Sequence, residues 1–280
     1  GALTLAIDIF TNNYSKSFLH QLISSQLDMD RLDYLRRDSF YSGVTEGSVN
    51  SERLLTMLNI KDDQLVVDAK GIYSVEKFLV ARRLMYWQVY MHKTVLSAEF
   101  MLVNILKRAK YLANEGIELP GTIALRHFLN ADYSWNEFEE NPAVLEKFVL
   151  LDDYDVMSAI KDWTNHSDII LSELSRRITD RNLLKIRLQA APFAPEVSAR
   201  IGEAIKTQYN FSHGEEHYMY IEAKVKNHAY NNKKGHINLL YKDGHISDIS
   251  QAADQMTIKA LSEPVERHFI CFPRELKDLL

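Results

Sequence analysis

The segment Ser24–Gly43, SSQLDMDRLDYLRRDSFYSG, concentrates side chains able to handle a metal ion, a phosphate and a ligand hydroxyl. At the helical period Asp30, Tyr34 and Asp38 stand four residues apart on one face, with Arg31 and Arg37 beside it. A carboxylate ligates a hard cation or accepts from a hydroxyl, a phenol packs and donates, and a guanidinium holds phosphate oxygens. The same spacing also describes a solvated face laced with i, i+4 ion pairs, each worth little. Periodicity alone leaves both readings open.

A second set lies in ARRLMYWQVYMHK, where Arg82, Tyr86, Tyr90 and Lys93 fall at i, i+4, i+8 and i+11, with His92 alongside. They form a polar stripe on an otherwise apolar helix. Charge on a helix that must be buried requires an anionic partner, because an unpaired buried charge is costly. That partner is either a bound anion or one of the nearby carboxylates. His20, among Phe18, Leu19 and Leu22, reads as a packed or capping histidine. Asp152, Asp153 and Asp155 have metal-ligand chemistry, but consecutive positions point to different helix faces. Carboxylates meeting the positive end of a helix dipole explain them better.

The elements that must carry these groups are mostly helical. Apolar stripes predict helices over Ala2–Phe10, Ser15–Leu27 and Asp28–Phe40, broken by Gly43 and Gly47. Leu65–Ile72 reads as a short strand or hairpin, and Ser74 as the N-cap of one long helix, Val75–Ala113, apolar on most faces and therefore central. Further helices are expected at Ile123–Asn130, Trp135–Glu140, Pro142–Leu150, Asp155–Trp163, Asp168–Thr179 and Glu196–Gln208. Strands are expected at Leu183–Leu188, Tyr218–Val225, Ile237–Tyr241, Ile246–Ile249 and Arg267–Phe272. Lys242-Asp243-Gly244 signals a hairpin with a type I′ turn. The fold class is mainly α, a helical core over residues 1–180, followed by a smaller α+β region over residues 181–280.

Composition narrows the partners. The 280 residues are 46% hydrophobic and 25% charged, enough to bury a sizeable core. A net charge of −5 argues against a general nucleic-acid binder while permitting a local basic pocket. The single cysteine, Cys271, excludes an internal disulfide framework and a Cys-based zinc site, in keeping with a reducing cytoplasm. No apolar run approaches the ~18 residues of a membrane span. The abrupt start, already mid-helix at Ala2, suggests a truncated or processed chain.

The string QLDMDRLDYLRRDS resembles the final metal-ligand motif of HD-superfamily phosphohydrolases, in which an Asp closes a site begun by His and His-Asp. It is most similar to the bacterial dNTP triphosphohydrolases related to the mammalian SAM-and-HD-domain enzyme. The resemblance continues through Gly71–Phe78, Ala81–Lys93, Leu151–Asp155 with Trp163, and Arg181–Lys185. It implies that Asp30, turned inward, is the fourth ligand of a divalent metal (Mn, Fe, Mg or Zn) that polarises a phosphoryl oxygen and activates water. It further implies that Arg31 contacts substrate phosphate, Tyr34 packs against the deoxyribose and Asp38 accepts from its 3′-hydroxyl. Arg82 and Lys93 would hold the triphosphate side and Tyr90 would flank the sugar. Tyr86 stands where the mammalian enzyme has a histidine near the scissile phosphate, and Met91 replaces a substrate-contacting glutamine, so a proton-donor role and a base preference do not carry over. Lys70, Arg181 and Lys185 correspond to effector-nucleotide contacts, at a site that in the family lies between subunits. Arg53 aligns loosely with another and reads better as solvated.

None of the ten histidines is followed by Asp. The family's His…His-Asp ligands lie upstream of the part that begins here, so the chain by itself is expected to be inactive. For the full-length protein the expectation is hydrolysis of a dNTP to deoxynucleoside and triphosphate, in a cytoplasmic homo-oligomer, dimer or tetramer, away from membranes. The alternatives are another HD nucleotide phosphohydrolase, acting on monophosphates, cyclic nucleotides or alarmones, and a non-catalytic nucleotide-binding or oligomerisation module.

Overall fold

The structure is a computed structural model that describes residues 1–227, 230, 235–252 and 264–279. Twelve α-helices and seven short strands occur among them, with the strands gathered mainly in the C-terminal part, so the fold class is the helical core with an α+β region expected from periodicity. The chain divides into two compact units, Gly1–His92 with Lys226–Glu266, and Lys93–Val225 with Arg267–Leu280. These units follow contacts, and each takes two pieces of chain. The division at residues 180 and 181 follows the change of element type and stands as a proposal.

The first unit begins with α1 (Ala2–Phe10), α2 (Ser17–Ile23), α3 (Met29–Ser42) and α4 (Ser51–Met57). Strands β1 (Leu58–Lys61) and β2 (Gln64–Asp68) form a hairpin in register Lys61↔Gln64. Its two turn residues, Asp62 and Asp63, have φ of 51° and 57°, the double positive φ of a type I′ turn, which aspartate tolerates without a glycine. Parallel to β2 runs β5 (Asn238–Leu240), which pairs with antiparallel β6 (Ile246–Asp248), giving the order β1-β2-β5-β6. The hairpin expected at Lys242–Gly244 is present, but its turn is not type I′. Of the three, Gly244 alone has positive φ, and its N–H donates to the Tyr241 carbonyl (3.0 Å), so the two central residues of that turn, Lys242 and Asp243, lack the positive φ a type I′ turn requires.

Helix α5 (Ile72–Met85) runs through the core of this unit, burying Val75, Phe78, Leu79 and Met85 against Leu32 and Leu35 of α3, Leu54 of α4 and Leu239 of β5. It starts at Gly71 rather than at the expected cap Ser74, since the 3₁₀ turn Ala69–Gly71 feeds straight into it. A Cβ on Gly71 would come within 2.9 Å of Met57 Cβ, so the close approach of the chain there requires glycine. The single long helix expected from Val75 to Ala113 is not formed. After Met85 the backbone makes a π-helical turn over Tyr86–Tyr90, where the Met91 N–H donates to the Tyr86 carbonyl (2.7 Å), one residue beyond the α-helical spacing. No glycine or proline marks the break, so periodicity does not register it.

The second unit is organised by α6 (Lys93–Asn114), about 33 Å long. Its buried stripe of Leu96, Met101, Ile105, Ala109 and Leu112 packs chiefly on α11 (Ile169–Thr179) and also on α7 (Ile123–Asn130). Around these lie α8 (Trp135–Glu140), α9 (Pro142–Val149), α10 (Asp153–Trp163) and α12 (Pro195–Tyr209). A small sheet in the order β3-β7-β4 is built from β3 (Lys185–Gln189), β7 (Val265–Phe272) and β4 (Ile221–Asn227), with β3 antiparallel to β7. Sequence-local chemistry sets the helix starts: Thr122, Ser134, Asn141, Asp152 and Asp168 each accept a backbone N–H of the following first turn. Asp152 as N-cap, with Asp155 reaching back to its N–H, accounts for the acidic run there without a metal. The polar groups buried on α6 are satisfied. Arg108 pairs with Asp168 (2.6 Å) and Glu215 (3.0 Å), and Ser97 donates to the Leu184 carbonyl (2.8 Å).

Candidate functional site

The site grows from the start of α3. Asp28, its N-cap, is buried and accepts from the backbone N–H groups of Ser25 (3.0 Å) and Arg31 (2.8 Å). The Arg31 guanidinium closes on the same carboxylate. Arg31, expected to contact phosphate, is therefore engaged by the cap of its own helix, as a cation three residues past a buried carboxylate must be. Asp28 was missed from the sequence because a cap and a ligand look alike in a string of aspartates; its position immediately before the apolar period is the signal that identifies it.

One turn further, Tyr34 and Asp38 face α5 and the π turn. The Tyr90 hydroxyl donates to Asp38 Oδ2 at 2.7 Å. The Tyr34 and Tyr90 rings meet edge to face at 5.9 Å, and Tyr86 meets Tyr90 likewise at 5.2 Å, both within the favourable range for T-shaped pairs. Arg82 lies over the Tyr86 ring at 5.7 Å, and its Nη1 donates to Gln26 Oε1 (3.4 Å), so the guanidinium is held from two sides. Gln26, itself buried, is a member of the cluster that residue type alone did not single out.

The π turn carries Tyr86 and Tyr90, four residues apart and in ring contact, and widens the helix where they sit. Burial, and then the neighbouring Tyr86, push the Tyr34 phenol up to about 12. Burial, then the bond to Asp38, raises the Tyr90 phenol further. At neutral pH the cluster thus presents two protonated phenols, an aspartate acceptor and an arginine. It suits a ligand with hydroxyls, a flat or puckered ring, and an anionic end.

Of the residues singled out in the sequence, Tyr34, Asp38, Arg82 and Tyr90 come together. Asp30 does not join them. It is exposed on the first turn of α3, contrary to the inward orientation expected of it, because the cap position two residues earlier takes the buried place. Among the described residues no group of three or more His, Cys, Asp or Glu could hold a metal ion. One exposed carboxylate does not fit a metal by itself. No described helix is long and apolar enough to cross a membrane.

Lys93 belongs to the second unit, where it lines a cavity of about 590 Å³ with Lys185, Arg274 and Lys277. Glu275, the one carboxylate in that lining, pairs with Arg177 (3.0 Å), so the cavity is strongly cationic. Arg181 is exposed in the left-handed conformation (φ 57°) just after α11 and is not among the residues lining that cavity. In the first unit, Lys70 lies 3.4 Å from Asp68 on a separate cavity of about 690 Å³ bordered by Tyr241 and Lys242.

Comparison with known proteins agrees with this architecture. Residues 49–119, which run from α4 through the whole of α6, match the family described as HD associated region. The crystal structure of a phosphohydrolase from Bacteroides thetaiotaomicron superposes with a TM-score of 0.91 at 47% identity, over 97% of this chain and 68% of that one. The uncharacterized protein YwfO of Bacillus subtilis is 36% identical over 178 residues, 64% of this chain and 39% of that protein. A Dictyostelium discoideum protein named deoxynucleoside triphosphate triphosphohydrolase SAMHD1 homolog is 30% identical over 97 residues, 34% of this chain and 19% of that protein. The matched part spans well under two thirds of either curated relative. Its identity to a solved phosphohydrolase along nearly its whole length, with the HD-associated region covering the helix and π turn that carry Arg82, Tyr86 and Tyr90, shows that the chain belongs to the HD superfamily.

Proposed function

We propose that this chain supplies the nucleotide-facing wall of a phosphohydrolase that, as the full-length protein, converts a dNTP to deoxynucleoside and triphosphate. The observation that carries the reading is the Tyr90–Asp38 hydrogen bond, closed by Tyr34 and flanked by Arg82. Asp38 has a second oxygen with which to accept from the sugar 3′-hydroxyl, a bond an acceptor-only carboxylate makes readily. Tyr34 and Tyr90 offer ring surface to the deoxyribose, and packing there leaves little room for a 2′-hydroxyl. Arg82, held by Gln26 and Tyr86, sets a positive charge beside the cluster that favours the anionic end of a nucleotide. Asp30 is the carboxylate this reading assigns to a divalent metal (Mn, Fe, Mg or Zn), and its exposure leaves it open to ligands from elsewhere; no step is assigned to a metal on the residues described.

The test is kinetic. In the full-length protein Asp38→Ala raises KM or lowers kcat for dNTPs by about tenfold or more, the loss expected for a hydrogen bond to a charged acceptor. Unchanged kinetics would remove the sugar contact. Profiling the same protein against dNTPs, nucleoside monophosphates and alarmones decides among substrates, since the fold does not.

A second reading rests on the cationic cavity of the second unit. Lys93, Lys185, Arg274 and Lys277 suit a polyphosphate, in keeping with an effector nucleotide and with a non-catalytic nucleotide-binding or oligomerisation role. Lys93 then serves an effector rather than the substrate. Size-exclusion chromatography with and without dGTP separates the two, because an effector module changes its assembly state on binding.

A further inference from the structure

The second unit carries an apolar surface with a charge of its own. On α9, Leu145, Phe148 and Val149 fall at i, i+3 and i+4, one helix face, and all three are exposed. Leu150 continues the face beyond the helix end, and Tyr154 follows on the first turn of α10. Val149, Leu150 and Tyr154 are 72%, 66% and 84% exposed, a density of large apolar groups that a monomer surface seldom leaves uncovered. The face is firmly backed. Phe148 packs edge-on against Phe138 of α8 at 5.6 Å and against Phe128 of α7 at 6.0 Å, so it is a built platform rather than a loose end.

Its surroundings are acidic. The stretch from Trp135 to Asp155 holds seven Asp and Glu and one Lys, a net −6, whereas the whole chain, with 33 basic and 38 acidic residues, totals −5. The remaining residues therefore sum to +1, so the excess negative charge of the chain is concentrated in the stretch of sequence that carries this apolar face. Trp135 is bound into the same fringe, its Nε1 donating to Glu139 (2.7 Å).

Going beyond the nucleotide pocket, we propose that the α8–α9 face and the first turn of α10 form a docking surface for a partner protein's cationic amphipathic helix. Charge decides among occupants. An anionic lipid surface or a nucleic acid is repelled by the fringe, and a second copy presenting the same face would set −6 against −6. A helix carrying Lys or Arg beside an apolar stripe satisfies both parts of the surface at once, with Leu145, Phe148 and Val149 meeting the stripe and the carboxylates meeting the flanking cations.

The probe is a labelled amphipathic peptide of leucine and lysine, titrated by fluorescence anisotropy onto the 280-residue chain. Binding is expected to weaken by about tenfold or more, a loss of ~1.4 kcal/mol, in Val149→Ser with Leu150→Ser, and equally in Glu140→Lys with Glu146→Lys. Both pairs are at exposed positions, and thermal melts matching the parent chain are part of the expected result. Added salt weakens binding as well. The proposal is overturned if either pair binds like the parent, or if an all-lysine peptide binds as tightly as the amphipathic one. Sedimentation gives a further way to lose it: a parent chain that self-associates, beside a Val149→Ser, Leu150→Ser variant that does not, assigns the face to contacts between copies.

Discussion

Burial holds the Tyr34 and Tyr90 phenols in their neutral form, Tyr90 with the added bond to Asp38, and this governs the chemistry of the three residues. Their cluster offers protonated donors and one acceptor across the physiological range, with the Arg82 guanidinium beside it. The raised Tyr34 pKa has a definite consequence for stability. The ordinary tyrosine value is 10, and the folded value is about 12. Below 10 both folded and unfolded chains are protonated and the stabilisation is complete; between 10 and 12 only the unfolded chain releases the proton, so stability falls as pH rises through that window. Melting temperature followed from pH 9 to pH 12 is expected to drop more steeply for the parent chain than for Tyr34→Phe. Parallel curves would mean that the phenol is not held as described. Asp30, Tyr34 and Asp38 were legible as a row by spacing, but which members turn inward was not. The row says that they share a side of α3, and burial then separates an exposed Asp30 from a half-buried Asp38.

At the scale of elements, the π turn is the departure that matters most. An aromatic-rich run with no glycine or proline reads as unbroken α-helix, and the extra residue at Tyr86–Tyr90 is accommodated because neighbouring packing holds the two rings, not because local propensity favours it. The 3₁₀ turn Thr45–Gly47 fixes the adjoining geometry. A Cβ on Gly47 would stand 2.7 Å from Met85 Cγ and 2.9 Å from Ser39 Cβ, so α3 and the end of α5 approach each other over a residue without a side chain. Gly47→Ala is expected to destabilise the first unit by about 1–3 kcal/mol through overpacking. A calorimetric Tm lowered by several degrees is the expected result, and an unchanged Tm would show that Met85 moves aside at no cost. The turns show the same division of labour. An Asp-Gly pair predicted the β5–β6 hairpin correctly and its turn type incorrectly, while the type I′ turn formed at Asp62-Asp63, where the hairpin's two-residue loop imposed it.

For the molecule as a whole, two units with separate cores imply that unfolding need not be a single transition. The lone thiol gives a reporter for one of them. Cys271 sits at full burial in β7, and burial alone pushes it up to about 12, so it is both shielded and protonated. Iodoacetamide at mildly alkaline pH is expected to leave it unmodified in the folded chain and to label it at the rate at which the second unit opens in urea; rapid labelling without denaturant would contradict its placement. The amino-acid string by itself placed α1, α3 and the helices from α7 to α12 to within a residue or two at most ends, because caps and apolar periods are local properties, but it gave no sign of α4 and fused α5 with α6. Its resemblance to the HD superfamily was also legible, and the solved phosphohydrolase at 47% identity and the HD-associated region agree with it. Tertiary structure alone decided that a helix would widen at Tyr86, that Arg31 would be bound by Asp28, that Gln26 would steady Arg82, and that Lys93 and Lys185 would share a cavity. Each of these depends on which distant surfaces compete for the same side chain, and that competition is settled only when the surfaces are brought together and water is removed from between them.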